Sequence, residues 1–312
     1  MTKNRLLLWW LLLITVVAPQ TLAQKTDPGS SDVAYQQGLE YQKANRNVEA
    51  IEAFKQAIAL RANFADAYAK LAEVYATVGQ YDDAVNTLQG LINLVPNNSD
   101  PYYKLGVALT YLGKQKEAIS AFEQAVRLKP DDPAAYERLA SAYHRGGRYG
   151  AKEINTLEQL VRLRPHDISA NLSLGEAYSQ SGRYSDAVAL FQQVIQLDAN
   201  NEDVYQRLAF AYTGLGQHQK AIDALKKALA IKPDQAVLHF KIGLSLLILH
   251  QYEEAIQSLE QAVKLDPKDA EAHYALGAAY HYKGQKENAL KEYEILKTLK
   301  PDLAAEFIRK II

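Results

Sequence analysis

Six prolines constrain this 312-residue chain more than any other feature: Pro96, Pro130, Pro165, Pro233, Pro267 and Pro301 recur at intervals of 34, 35, 68, 34 and 34. The 68 is two periods with Ala199 where a proline is missing, and Ala62 stands one period before Pro96. Self-similarity at such a period signals short supersecondary units stacked in an array, each burying its apolar face against the next. The sequence reads as eight units, at about 31–64, 65–98, 99–132, 133–167, 168–201, 202–235, 236–269 and 270–301, after a segment 1–23 and a linker 24–30, and before an end segment 302–312.

Laid over one another, the units share three further positions. The eighth residue is always Gly or Ala: Gly38, Ala72, Gly106, Ala140, Gly175, Ala209, Gly243 and Gly277. The twentieth is Ala50, Ala84, Ala118, Ala187, Ala221, Ala255 or Ala289, each four residues before a bulky Phe54, Leu88, Phe122, Phe191, Leu225, Leu259 or Tyr293. Small residues facing large ones predict two helices that approach closely. Between them the fifteenth residue reads Asn45, Gly79, Gly113, Gly147, Gly182, Gly216, His250 and Gly284, types suited to a positive φ where a helix stops and reverses. Each unit is thus expected to be helix, tight turn, helix. The closing proline cannot continue the second helix, and Asn98, Asp132, Asp167 and Asp269 are placed to cap the next one.

The third unit carries Tyr102, Leu105, Gly106, Leu109, Ala118, Phe122, Ala125 and Pro130, and the sixth Tyr205, Leu208, Ala209, Tyr212, Ala221, Leu225, Ala228 and Pro233. In this pattern the chain resembles the tetratricopeptide repeat family over nearly all of its length after the first 23 residues. The resemblance implies an all-α fold, a right-handed α-solenoid (superhelix) of eight helix-turn-helix units with a short C-terminal capping helix. It also implies that the first helix of each unit lines a concave groove where protein or peptide partners bind. The family's Lys and Asn clamp for a chaperone's C-terminal carboxylate is missing, because position 5 carries no Lys and position 9 no Asn.

The fourth unit is one residue longer, within Arg145–Ala151, so its twentieth position is either Ala151 or Glu153. A shifted second helix and a local change of superhelical pitch are expected there.

Residues 1–23 have Lys3 and Arg5, an apolar core of 13 residues ending at Ala18, and Thr21-Leu22-Ala23, which reads as a secretory signal cleaved before Gln24. The core is shorter than the roughly 20 residues needed to span a bilayer, and an uncleaved membrane anchor is the alternative. An exported protein, periplasmic or extracellular, follows, with no stable membrane span after cleavage. The absence of cysteine excludes disulfides, thiolate metal sites and thiol nucleophiles. Loss of Lys3 and Arg5 takes the formal charge from −1 to −3, which recommends no nucleic acid as partner.

Phosphate loops, nucleophile elbows and paired metal-ligand histidines are missing, so no catalytic, metal or cofactor site is expected and the chain is not read as an enzyme. His239 and His273 both fall at a packing position, and Asn97 and Asn171 begin glycosylation sequons, the second inside an expected helix.

Function is therefore expected on the groove, at positions 2, 5, 9 and 12 of the first helices. In the fourth and fifth units these are Ala134, Glu137, Ser141, His144, Ser169, Leu172, Glu176 and Ser179, polar and leaning acidic. In the seventh they are Val237, Phe240, Leu244 and Leu247, flanked by Phe210 and Tyr274. Phe210, Phe240, Leu244, Leu247 and Tyr274 are the candidate partner-binding residues, as anchors for a partner's side chains; closure of the superhelix over them is the competing explanation.

A second row, Lys70, Lys104, Arg138, Arg207 and Lys241, would suit an acidic ligand, but Asp66–Lys70, Asp100–Lys104 and Asp203–Arg207 also form helical i, i+4 pairs, and that explanation is favoured. The expected function is a noncatalytic scaffold or adaptor in cell-envelope assembly or secretion. Its alternatives are a structural element self-associating through the C-terminal end, where Leu303, Phe307, Ile308 and Ile311 are apolar, and an accessory subunit of a polysaccharide- or peptidoglycan-handling complex.

Overall fold

The structure, a computed structural model, describes residues 28–146 and 150–310, which are helical throughout apart from short turns. The signal segment, the turn residue Gly147 and Ile311 lie outside the described residues. Residues up to Leu94 and from Val95 onward make two compact units. The first holds α1 (Pro28–Lys43), α2 (Asn47–Leu60), α3 (Ala65–Thr77) and α4 (Tyr81–Leu94). The second holds α5 (Ser99–Tyr111), α6 (Gln115–Leu128), α7 (Pro133–Arg145), α8 (Ala151–Leu163), α9 (Ile168–Gln180), α10 (Tyr184–Leu197) and α11 (Glu202–Gly214). It continues with α12 (His218–Ile231), α13 (Ala236–Ile248), α14 (Tyr252–Leu265), α15 (Ala270–Tyr282), α16 (Lys286–Leu299) and α17 (Pro301–Lys310).

The turns are those the sequence marks. Asn45, Gly79, Gly113, Gly182, Gly216, His250 and Gly284 all have φ between 57° and 84°. At Gly113 the reversal is closed by two backbone bonds, Gly113 N–H to Thr110 O and Lys114 N–H to Leu109 O, which satisfy carbonyls the helix end leaves open. Asn98, Asp132, Asp167 and Asp269 accept backbone N–H bonds at the starts of α5, α7, α9 and α15, and Asn201 does the same for α11.

Close packing explains the small eighth residue. A Cβ added to Gly38, Gly106 or Gly175 would lie 2.5–2.6 Å from the ring of Phe54, Phe122 or Phe191, rings that are at most 1% exposed. Where the facing residue is Leu88, Leu157 or Leu225, the eighth residue is Ala72, Ala140 or Ala209. In six of the eight units Gly meets Phe or Ala meets Leu, a volume exchange that keeps the interior at native density. The seventh departs from it, since a Cβ added to Gly243 would lie 2.5 Å from Leu259, and in the eighth Gly277 meets Phe307 of α17.

Neighbouring hairpins are also joined by a recurring hydrogen bond across twenty residues. Tyr143, Tyr178 and Tyr280 donate to Glu123, Glu158 and Glu260 at 2.5, 2.7 and 2.6 Å, and Gln192 donates to Tyr212 at 3.2 Å. At the C-terminal end α17 packs on the last hairpin: Phe307 is fully buried with Ala289, Leu296 and Ala304, and its ring meets Tyr274 edge-on at 5.3 Å.

The long fourth repeat resolves the choice between Ala151 and Glu153. Counted back from the closing proline, Leu157 takes the bulky position and Glu153 the small one, and Glu153 is 3% exposed while Ala151 is exposed. The helix also enters differently: Gly150 precedes α8 in an extended conformation with ψ 168°, against ψ 68° at Lys114 before α6.

Candidate functional site

The five apolar candidates divide into two exposed residues and three that are packed. Phe210 on α11 is 51% exposed and Leu244 on α13 is 37% exposed. They line one cleft of about 260 Å³ with Ala209, Thr213, Leu225 and Ile248, and with Lys241 at its edge. Phe240 and Leu247 are half-buried against the core instead, and Tyr274 is taken up by Phe307 of α17. Positions 5 and 12 thus lean into the interior, whereas 9 and 13, one helical turn apart, face outward. Ile248, 55% exposed, stands at position 13, outside the positions 2, 5, 9 and 12 where the sequence places the groove. Its signal was the i, i+4 spacing from Leu244.

The basic row does not act as one. Lys104 pairs with Asp100 at 2.9 Å, as its spacing predicts. Lys70 pairs with Glu73 at 2.9 Å rather than with Asp66. Arg207 is held by Asp203 at 2.6 Å and by Glu176 of α9. Arg138 lines another cleft with Tyr111, Ser141 and Arg145. Lys241 alone of the five joins the apolar cleft, and it has no ion-pair or hydrogen-bond partner among the described residues. A smaller cleft lined by Glu176, Arg207, Phe210 and Lys241 adjoins it.

Other sequence candidates prove structural. His273 is buried, its Nδ1 2.6 Å from Glu292 and its Nε2 3.2 Å from the Pro267 carbonyl. Asn171 is fully buried and its Nδ2 donates to the carbonyls of Pro165 and Asp167, so this sequon is closed to glycosylation in the folded chain. Among the described residues no group of three or more His, Asp or Glu is placed to hold a metal ion, and no helix is long and apolar enough to cross a membrane.

Stacked helical hairpins closed by positive-φ turns, with an open side-chain cleft on the first helices, define an all-α repeat protein of the solenoid class. Residues 108–147 and 246–284 match the family described as TPR repeat, and residues 41–110, 154–202, 180–241 and 270–303 match families described as tetratricopeptide repeat. The chain belongs to the tetratricopeptide repeat family. No curated protein sequence matches it.

Solved structures give the fold. The C-terminal part of a TPR repeat-containing protein from Cytophaga hutchinsonii is similar with 21% identity and a TM-score of 0.60, covering 78% of this chain and 99% of that one. A structure of Naa15/Naa10 bound to HypK-THB gives 15% identity and a TM-score of 0.65 over 89% of this chain and 42% of that one. The MamA protein gives 24% identity and a TM-score of 0.51 over 55% and 94%.

Proposed function

We propose that this protein is a noncatalytic adaptor that holds a segment of a partner protein on the α11–α13 face, with an apolar side chain in the cleft and an acidic group at Lys241. The observation that carries this reading is the cleft itself: Phe210, Leu244 and Ile248 are exposed apolar side chains around about 260 Å³, beside the Lys241 ammonium group, which has no partner among the described residues. Apolar side chains arranged around a concavity with one polar group at the edge suit an anchor residue and its orientation. A partner protein is also in keeping with Naa15, whose solved structure holds Naa10. The Lys3–Ala23 segment supports an exported adaptor, periplasmic or extracellular, working in envelope assembly or secretion.

The test is affinity capture with the 24–312 chain against the same chain carrying Phe210→Ser and Leu244→Gln. Both residues are exposed, so helicity is expected to be unchanged while partner capture is lost. Phe240 is unsuitable for this purpose, because it packs on the core. Equal capture by the double variant removes the proposal.

Self-association through the C-terminal end has an observation of its own in favour, since Leu290, Ile295 and Ile308 are 38–44% exposed on the last hairpin and α17. A mass that rises with concentration, and stays constant in Ile295→Lys, would establish it.

A further inference from the structure

The twentieth position of the repeat is a fully buried alanine in seven units, and in the fourth it is Glu153. A carboxylate where two helices press together is expensive to bury unless its oxygens are satisfied. One is: Oε1 lies 3.3 Å from Nδ1 of His144. The other, Oε2, is buried and has no hydrogen-bond partner among the described residues. Buried polar atoms are almost always bonded. Among the described residues Asn171 Oδ1 and His218 Nδ1 share this state, and of the three residues Glu153 is the one that lines a described cleft.

Glu153 also lines a cleft of about 340 Å³ between α7, α8 and α9. Glu137, His144 and Arg145 reach it from α7, and Asp167 and Glu176 from α9 and its cap. Arg164, which does not line it, ties down Glu137 and Asp167 at 3.5 and 3.7 Å, and Arg207 binds Glu176 from outside. Acidic groups thus outnumber basic ones on the wall. Leu157 and Leu160 supply an apolar floor. Burial and the nearby Glu176 hold the Glu153 carboxyl above its ordinary value, against the opposing effect of His144, as befits a site short of one positive charge. Glu137, Asp167 and Glu176 already meet an arginine, so the unmet oxygen of Glu153 above an apolar floor is the feature that suits an alkyl stem ending in a cation. Among the described residues no three of these groups are placed to hold a metal ion.

We infer that the α7–α9 cleft receives a basic side chain of a partner protein, its alkyl stem on Leu157 and Leu160 and its charged head on Glu153 Oε2. This goes beyond the α11–α13 reading and stands without it. Glu153 then occupies an alanine position for the sake of the ligand, at a cost in stability.

The test titrates n-butylammonium and n-butanol into the full chain, following backbone amide shifts in α7–α9 by NMR, with Glu153→Gln, Glu153→Ala and the Phe210→Ser/Leu244→Gln variant alongside. Saturable shifts with n-butylammonium only, at least tenfold weaker binding in Glu153→Gln, and a higher Tm for Glu153→Ala are expected. The groove double variant should bind n-butylammonium as the parent does, which separates this site from the adaptor cleft. Equal binding by Glu153→Gln, equal binding of n-butanol, or no binding with only a water on Oε2 would overturn the inference. So would a lower Tm for Glu153→Ala, which would make Glu153 a structural group.

Discussion

Gly106 and Phe122 show how much of the packing a single position decides. Alanine at 106 would gain about 1 kcal/mol of helix propensity, but its Cβ meets a ring atom at 2.6 Å in a filled interior, and overpacking of this kind costs about 1–3 kcal/mol. Gly106→Ala is therefore expected to destabilise the chain. Adding Phe122→Leu, which recreates the Ala–Leu pairing of Ala72 and Leu88, should cost less than the two single changes summed, as urea midpoints would show. Equal costs would mean that the two positions are not matched. The exchange was legible in sequence because both partners recur. The site was legible in part: Phe210 and Leu244 could be read from the helix face, but whether Phe240 leans outward or inward depends on the neighbouring hairpin, which its own helix does not encode. Glu153 was legible only as one of two options, since an inserted residue can be absorbed on either side of the turn.

Among elements, the tyrosine-to-glutamate bond joins one hairpin to the next outside the apolar interior, beside ion pairs such as Arg207–Glu176. Burial first, and then the bond to Glu158, push the Tyr178 hydroxyl up to about 12 from its ordinary 10. The neutral phenol is the form that folding favours. Its contribution is complete below pH 10 and fades as pH rises from 10 to about 12, because the unfolded chain ionises first. Tyr178→Phe is expected to cost about 1 kcal/mol at neutral pH, and the gap from the parent should narrow over that alkaline window. A gap that widens there would refute the assignment. These bonds escape a reading of the repeat pattern, since Tyr is expected at position 11 for packing alone. The turns and the caps Asn98, Asp132, Asp167 and Asp269 are by contrast legible in the sequence, because Gly, Asn and Asp act through local backbone geometry.

For the molecule as a whole, stacking means that damage stays near its origin. Phe307 is the one large side chain of α17 that is fully buried, and Gly277 is shaped around it: a Cβ there would lie 2.7 Å from its ring. Phe307→Ala should cost about 3–5 kcal/mol. Hydrogen exchange should then quicken in α15 and α16 while α5 to α10 keep their protection. Uniform loss of protection would mean that the chain melts as one cooperative body.

Translational symmetry has a drawback for recognition: at the packing positions that recur, each copy looks to a ligand like the next. One glutamate among seven alanines breaks the degeneracy. It works as an index mark from which the register and polarity of a bound strand can be counted, so that the most irregular copy in the series tells the others apart.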